Sequence, residues 1–249
     1  MNVSNTQHTR IVYVLKLFGV ALFLCMLSFP AFAVKIFPQN QVIELTKSLN
    51  AELTVENTRE EPVTLEFYIK KRDVQEDGKE KYEDVTDDFI IFPPQALISP
   101  GQSQKVRIQY AGDTALQQSR SYHIFSEEVL VNFDDNPVQG IRPKMRIGVS
   151  LHVLPQGVDH AVSVRDVILD DSQAKITVIN EGTSFAYLDN ARITLRSDDK
   201  ERVFEGIELV KLAARTLLEP VEGIRTFSLP LPEGASGDHL SASIEMIEE

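Results

Sequence analysis

In GIRPKMRIGVSLHVLP (Gly140–Pro155) every second residue from Ile141 to Val153 is apolar or proline: Ile141, Pro143, Met145, Ile147, Val149, Leu151 and Val153. Between them stand Arg142, Lys144, Arg146, Gly148, Ser150 and His152. A period of two predicts a strand with one apolar and one polar face. The run is much longer than the common strand of about 5–6 residues. Its length raises the question of what the apolar face packs against, and whether that surface belongs to this chain.

The same period recurs on both sides. AELTVEN (Ala51–Asn57), VTLEFYIK (Val63–Lys70), QKVRIQY (Gln104–Tyr110), YHIFSEEVLV (Tyr122–Val131) and KITVIN (Lys175–Asn180) all alternate, and helix signals are scarce. Glu61–Pro62, Asp77–Gly78, Pro93–Pro94, Pro100–Gly101 and Glu181–Gly182 supply turns between them. Short strands at this spacing predict an all-β chain of two β-sandwich domains in tandem. The hinge is LPQGVDH, giving a first domain over 34–155 and a second over 156–249. The charged segment KKRDVQEDGKEKYEDVTDD reads as a solvated hairpin closed by a type I′ turn at Asp77–Gly78. Its carboxylates lack the spacing of a calcium loop.

Residues 1–33 carry Arg10 and Lys16, then the apolar run LFGVALFLCMLSF, then PAFA. This order of basic, apolar and small residues predicts a signal peptide cleaved after Ala33. Bulky Leu24 ahead of Cys25 argues against a lipoprotein signal. Cys25 is the sole cysteine, so cleavage leaves a chain with no internal disulfide. The full chain holds 25 basic and 37 acidic residues, a net charge of −12, and loses two basic residues with the leader. An exported chain this acidic is a poor binder of nucleic acid, and no membrane insertion of the mature chain is expected.

Catalytic motifs are absent. His8, His123, His152, His160 and His239 show no metal-ligand spacing, and there is no G-x-S-x-G elbow, P-loop or G-x-G-x-x-G. The adjacent Glu127 and Glu128 point to opposite faces of one strand and cannot act together on one bond. We expect no catalytic residue, metal or cofactor, although Ser, His and Asp side chains converging in space would not show in the sequence.

FIIFPPQALISPGQSQKVRIQY (Phe89–Tyr110), with its di-proline, apolar pair, Pro–Gly and Val-Arg-Ile, resembles the first domain of the PapD-like periplasmic pilus chaperones. QVIELTKSLNAELTVENTREEPVTLEFYI resembles that family's first three strands, RSYHIFSEEVL its sixth and MRIGVSLHVLP its seventh; KITVINEGTSFAYLDNARI and GIRTFSLPLP resemble parts of its second domain. The resemblance implies two immunoglobulin-like sandwiches and a periplasmic chaperone of the chaperone–usher pathway. Its partners would be pilus subunits and an outer-membrane usher, and the unloaded chain could self-associate. Donor-strand complementation would lend the seventh strand to a subunit that lacks one. The resemblance implies Ile141, Met145, Ile147, Val149 and Leu151 as lent side chains.

From pattern alone the same strand also reads as ordinary core. Arg142, Lys144 and Arg146 read equally as edge-guarding charges or as steering groups for an acidic partner. The family's basic carboxylate anchor aligns with the neutral Gln41 and Ser150, so this chain is identified as a divergent member. Arg107 and Glu128 align with an internal ion pair at the domain junction, with Asp238 a candidate third partner. The competing readings are an exported two-domain adhesion or surface protein, and an exported hydrolase.

Overall fold

A computed structural model describes residues 33–85, 87–129, 144–213 and 215–247. Residues 1–32 of the expected leader, and Ile141 of the alternating strand, lie outside the described residues. The first sandwich comprises β1 (Val34–Phe37), β2 (Asn40–Glu44), β3 (Asn50–Asn57), β4 (Val63–Val74), β5 (Glu80–Asp84), β6 (Phe89–Phe92), β7 (Gln95–Ile98), β8 (Ser103–Tyr110), β9 (Arg120–Glu128) and β10 (Arg146–Leu154). One of its sheets runs β1–β3–β8–β6; the other runs β2–β10–β9–β4–β5, with β7 also on β4. Alternation becomes burial: Leu53 and Val55 on β3, Leu65 on β4, Val106 and Ile108 on β8 and Ile124 on β9 meet between the sheets.

The second sandwich comprises β11 (Val162–Asp170), β12 (Gln173–Asn180), β13 (Ala186–Tyr187), β14 (Ala191–Ser197), β15 (Lys200–Glu205), helix α1 (Gly206–Ala213), β16 (Leu217–Leu218), β17 (Gly223–Pro230) and β18 (Ser241–Met246). Its sheets run β11–β12–β17 and β15–β14–β18, with a short β13–β16 pair. Ile176, Val178, Ile193, Leu195, Phe204 and Leu229 form a core separate from the first. Helix α1 is an addition to the expected strands. It buries Leu209 and Ala213, four residues apart, and eight residues carry too little periodicity to distinguish a helix from a strand.

The charged hairpin departs from expectation. Gln75–Lys79 form a five-residue connection between β4 and β5, and Gly78 is the residue with a positive φ, at 82°. A type I′ turn needs positive φ at both central residues, so Asp77–Gly78 does not form one. Nor is the hairpin fully solvated. The burial phase of β4 switches between Ile69 and Arg72, and Arg72 and Val74 are buried on the face opposite the core. That face meets the second sandwich.

The two sandwiches share one local device. Asn57, at the end of β3, donates from its amide to the carbonyls of Glu61 and Ile98, both at 2.9 Å, and accepts from the Arg59 N–H at 3.0 Å. Asn180, at the end of β12, donates to the carbonyls of Ser184 at 2.8 Å and Glu219 at 3.1 Å, and accepts from the N–H groups of Ala161 and Gly182. Both side chains are fully buried, so truncation strands several backbone groups without water. Asn180→Ala should cost about 1–3 kcal/mol in urea unfolding with an unchanged m value.

Candidate functional site

The site is built on β10. Along Arg146–Val153 it pairs antiparallel with β9. On its other side β2 joins it in parallel only at Ser150–Leu154, with Ser150 N–H also donating to Gln39 O at 3.1 Å. Arg146–Val149 therefore lack a strand neighbour on that side among the described residues, which leaves backbone groups open to an added strand.

The apolar face divides at the same point. Val149, Leu151 and Val153 are 0% exposed and belong to the chain's own core, whereas Met145 and Ile147 are partly buried against its rim. Val149 and Leu151, expected as side chains to be lent, are in this chain's own structure buried inside the first sandwich. Met145 and Ile147 remain available. Arg59 and Glu128 brace this end through a 2.9 Å ion pair, and Arg59 also reaches the Met145 sulfur at 3.5 Å. Lys144 pairs with Glu127, and the Arg146 guanidinium lies 5.2 Å from the Phe125 ring centroid.

The expected Arg107–Glu128 ion pair does not form. Arg107, on β8, is 78% exposed and lies 3.7 Å from Glu52 on neighbouring β3. Glu128 ends β9 in the opposite sheet and pairs with Arg59. Asp238 accepts from the Ser236 hydroxyl within the second sandwich, at 2.9 Å.

The polar face of β10 runs beneath the second sandwich and forms a cleft. Ser150 lies opposite His123 of β9, and His152 opposite Ser121. Gln41 and Ser150 do not come together as an anchor: the Gln41 amide donates to Glu52 O at 2.7 Å. Ser150 Oγ instead accepts from Arg72 Nη1 at 3.3 Å and lies 3.4 Å from His123 Nε2. Buried Arg72 is held by Glu80 at 2.5 Å, and its Nε has no partner. Arg215, from the second sandwich, reaches Glu80 at 3.4 Å. Sequence reading missed Arg72 because its neighbours in KKRDV make it look like one more solvated charge; the switch of burial phase in β4 exists only once the second sandwich is in place.

A hydrogen-bonded chain crosses the junction. Glu219 accepts from Ser121 Oγ at 2.7 Å, Ser121 Oγ lies 3.1 Å from His152 Nδ1, and His152 Nε2 lies 2.7 Å from Tyr187 OH. His152 is fully buried and stacks on Phe185 with ring centroids 3.8 Å apart. Burial, reinforced by the charge of Arg72, pushes the His152 pKa down to about 3 and that of His123 to about 4. Burial pushes Glu219 up to about 7, and its Oε1 has no partner. Burial also raises the Glu80 pKa, but the Tyr82 hydrogen bond and the Arg72 charge outweigh it and the net shift is downward.

No curated protein matches the chain. Residues 38–158 match the family model for the pili and flagellar-assembly chaperone, PapD N-terminal domain. The first sandwich belongs to that family. Solved structures share the fold across both sandwiches. The class 5 fimbriae chaperone CfaA is 12% identical with a TM-score of 0.53, over 87% of this chain and 100% of that one. A chain of the CsuC–CsuE pre-assembly complex of chaperone and tip adhesion subunit, from archaic chaperone–usher Csu pili of Acinetobacter baumannii, is 15% identical at TM-score 0.55, over 87% and 100%. A chain of the Salmonella enterica SafA pilin–SafB chaperone complex is 13% identical at TM-score 0.54, over 86% and 97%.

The cleft makes stability depend on pH in both directions. Glu219 binds its proton more tightly folded than unfolded, so its contribution is complete below about 4.5 and is lost as pH rises through about 7. His123 and His152 bind protons more tightly unfolded, so their contribution is complete above about 6.5 and is lost as pH falls towards 4. The windows overlap between about 4.5 and 6.5, where the two histidines outweigh the one carboxyl, so unfolding free energy should rise with pH there and level off near 7. Glu219→Gln should remove the opposing loss and so steepen the rise of unfolding free energy between about 4.5 and 7, by about 1.4 kcal/mol per pH unit, while leaving the slope above about pH 8 unchanged.

Proposed function

We propose that this chain is a non-enzymatic periplasmic chaperone that captures pilus subunits by lending them β10, and delivers them to an outer-membrane usher. The observation that carries this reading is the half-open strand: among the described residues β10 lacks a second neighbour at Arg146–Val149, and Ile147 and Met145 lie beside the same rim. A pilin strand added there would gain backbone hydrogen bonds and cover apolar surface together. Ile141, outside the described residues, continues the alternation in sequence and is proposed as a further lent side chain. On this reading residues 1–33 are a cleaved leader, and 34–155 and 156–249 are the two domains. No helix among the described residues is long and apolar enough to cross a membrane.

Fully burying a large apolar side chain contributes roughly 1.5–3 kcal/mol; Met145 and Ile147, already partly covered, contribute less each. Met145→Thr/Ile147→Thr should therefore lose pulled-down pilus subunits while the folded chain keeps its thermal midpoint within a few degrees. Equal capture by wild type and double variant would remove strand lending and favour the adhesion-protein reading. Val149→Thr serves as the contrast: it buries a hydroxyl in the core and should cost about 1–3 kcal/mol of stability.

For the terminal carboxylate of the bound pilin we place the anchor at Ser150 backed by Arg72, instead of at Gln41, whose amide is already engaged. Arg72→Gln together with Glu80→Gln avoids leaving one buried charge alone. By isothermal titration, this pair of changes should abolish a preference of roughly tenfold for a pilin C-terminal peptide ending in carboxylate over its carboxamide. An undiminished preference would move the anchor elsewhere.

A further inference from the structure

Arg225, on β17, is 1% exposed and has no carboxylate bound to it among the described residues. Its Nη2 donates to Ala213 O at the end of α1, at 2.7 Å, and its Nη1 donates across the junction to Gln75 O, at 3.3 Å. A buried guanidinium is costly unless its protons are met; here carbonyls from both sandwiches meet the two Nη groups, while Nε has no partner among the described residues. Gly78 lies directly against this guanidinium, where a Cβ would collide with Cζ and both Nη atoms; its φ of 82° also disfavours any side chain. Next to Arg225, Thr226 holds the same turn twice: its N–H donates to Glu76 O at 3.1 Å and its hydroxyl to Glu76 Oε1 at 2.8 Å.

The Gln75–Lys79 turn leads straight into the cleft. Glu80 follows it and is shared between Arg72 of its own hairpin and Arg215 of the second sandwich. Tyr82, two residues on, bonds Glu80 and lies 2.8 Å from His123 Nδ1. We infer that Arg225 is a positioning residue for the cleft: by latching the Gln75–Lys79 turn to the second sandwich, it holds Glu80 between Arg72 and Arg215, and so holds Arg72 against Ser150 on β10. The latch itself is independent of the pilus reading; only an effect on the capture of pilins rests on it.

The test is an NMR titration of His123, the cleft group on the far side of Glu80 from Arg225, in the chain with no pilin bound. Wild-type His123 should titrate near pH 4. Arg225→Met breaks the latch from the second sandwich and Gly78→Val breaks it from the first. Each should raise the His123 midpoint by about one unit or more towards 6.5 as the cleft takes in water, and should speed hydrogen exchange of the β5 amides at least tenfold. Glu76→Gln/Thr226→Val, which removes the Thr226 hydroxyl's exposed bond to Glu76 and its part-buried contact with Thr177 but leaves Arg225 in place, should shift both in the same direction by less, and serves if either stronger variant fails to fold. Folded variants with an unmoved His123 midpoint would overturn the latch. Capture of pilins, read separately on the same variants, tests the dependent step: a moved midpoint with unchanged capture confines the latch to domain geometry.

Discussion

The pairing of β10 is the constraint on which the rest of the molecule turns. A strand with two neighbours surrenders its backbone groups and its apolar side chains to its own sheet; a strand with one neighbour keeps half of its hydrogen-bonding edge. β10 does both, with β2 and β9 beside it at Ser150–Val153 and, among the described residues, β9 alone at Arg146–Val149. Burial changes one step before pairing does: Val149, Leu151 and Val153 are in the core, and Ile147 and Met145 at its margin. One continuous alternation thus serves as core at one end and exposed edge at the other.

The opposite face of the same strand sets the junction. Ser150 and His152 belong to a polar stripe that would be solvated on an isolated sandwich; covered by the second one, it becomes a buried network of Arg72, Glu80, His123, Ser121, Tyr187 and Glu219. Such networks add little net stability, because desolvating charges offsets most of their attraction. They do demand geometry: an ion pair that is worth its desolvation in one domain orientation is a lone buried charge in another. The arrangement therefore favours one relation of the two sandwiches over its neighbours, and puts a cation beside β10 where the aligned residues are neutral.

How much of this was legible follows from the range of the forces involved. A period of two is a local consequence of pleating, so the strands of KITVIN, QKVRIQY and VTLEFYIK could be read from the chain, as could the sandwich class that their turns imply. The resemblance carried by Phe89–Tyr110 and Met145–Pro155 pointed to the chaperone family. Helix α1 escaped because eight residues show too little of a helical period, and the hairpin turn escaped because Asp–Gly is compatible with more than one loop geometry.

The sequence by itself determined which residues alternate, where turns interrupt them and which side chains are apolar enough to seek burial. Only the tertiary structure decided which half of β10 has a second neighbour, that Glu128 meets Arg59 and not Arg107, and that Arg72, Arg225 and His152 are buried. Alternation arises within a few residues of chain, whereas pairing and burial are set by surfaces brought together from distant parts of it, as when Gly78 closes over Arg225, 147 positions away.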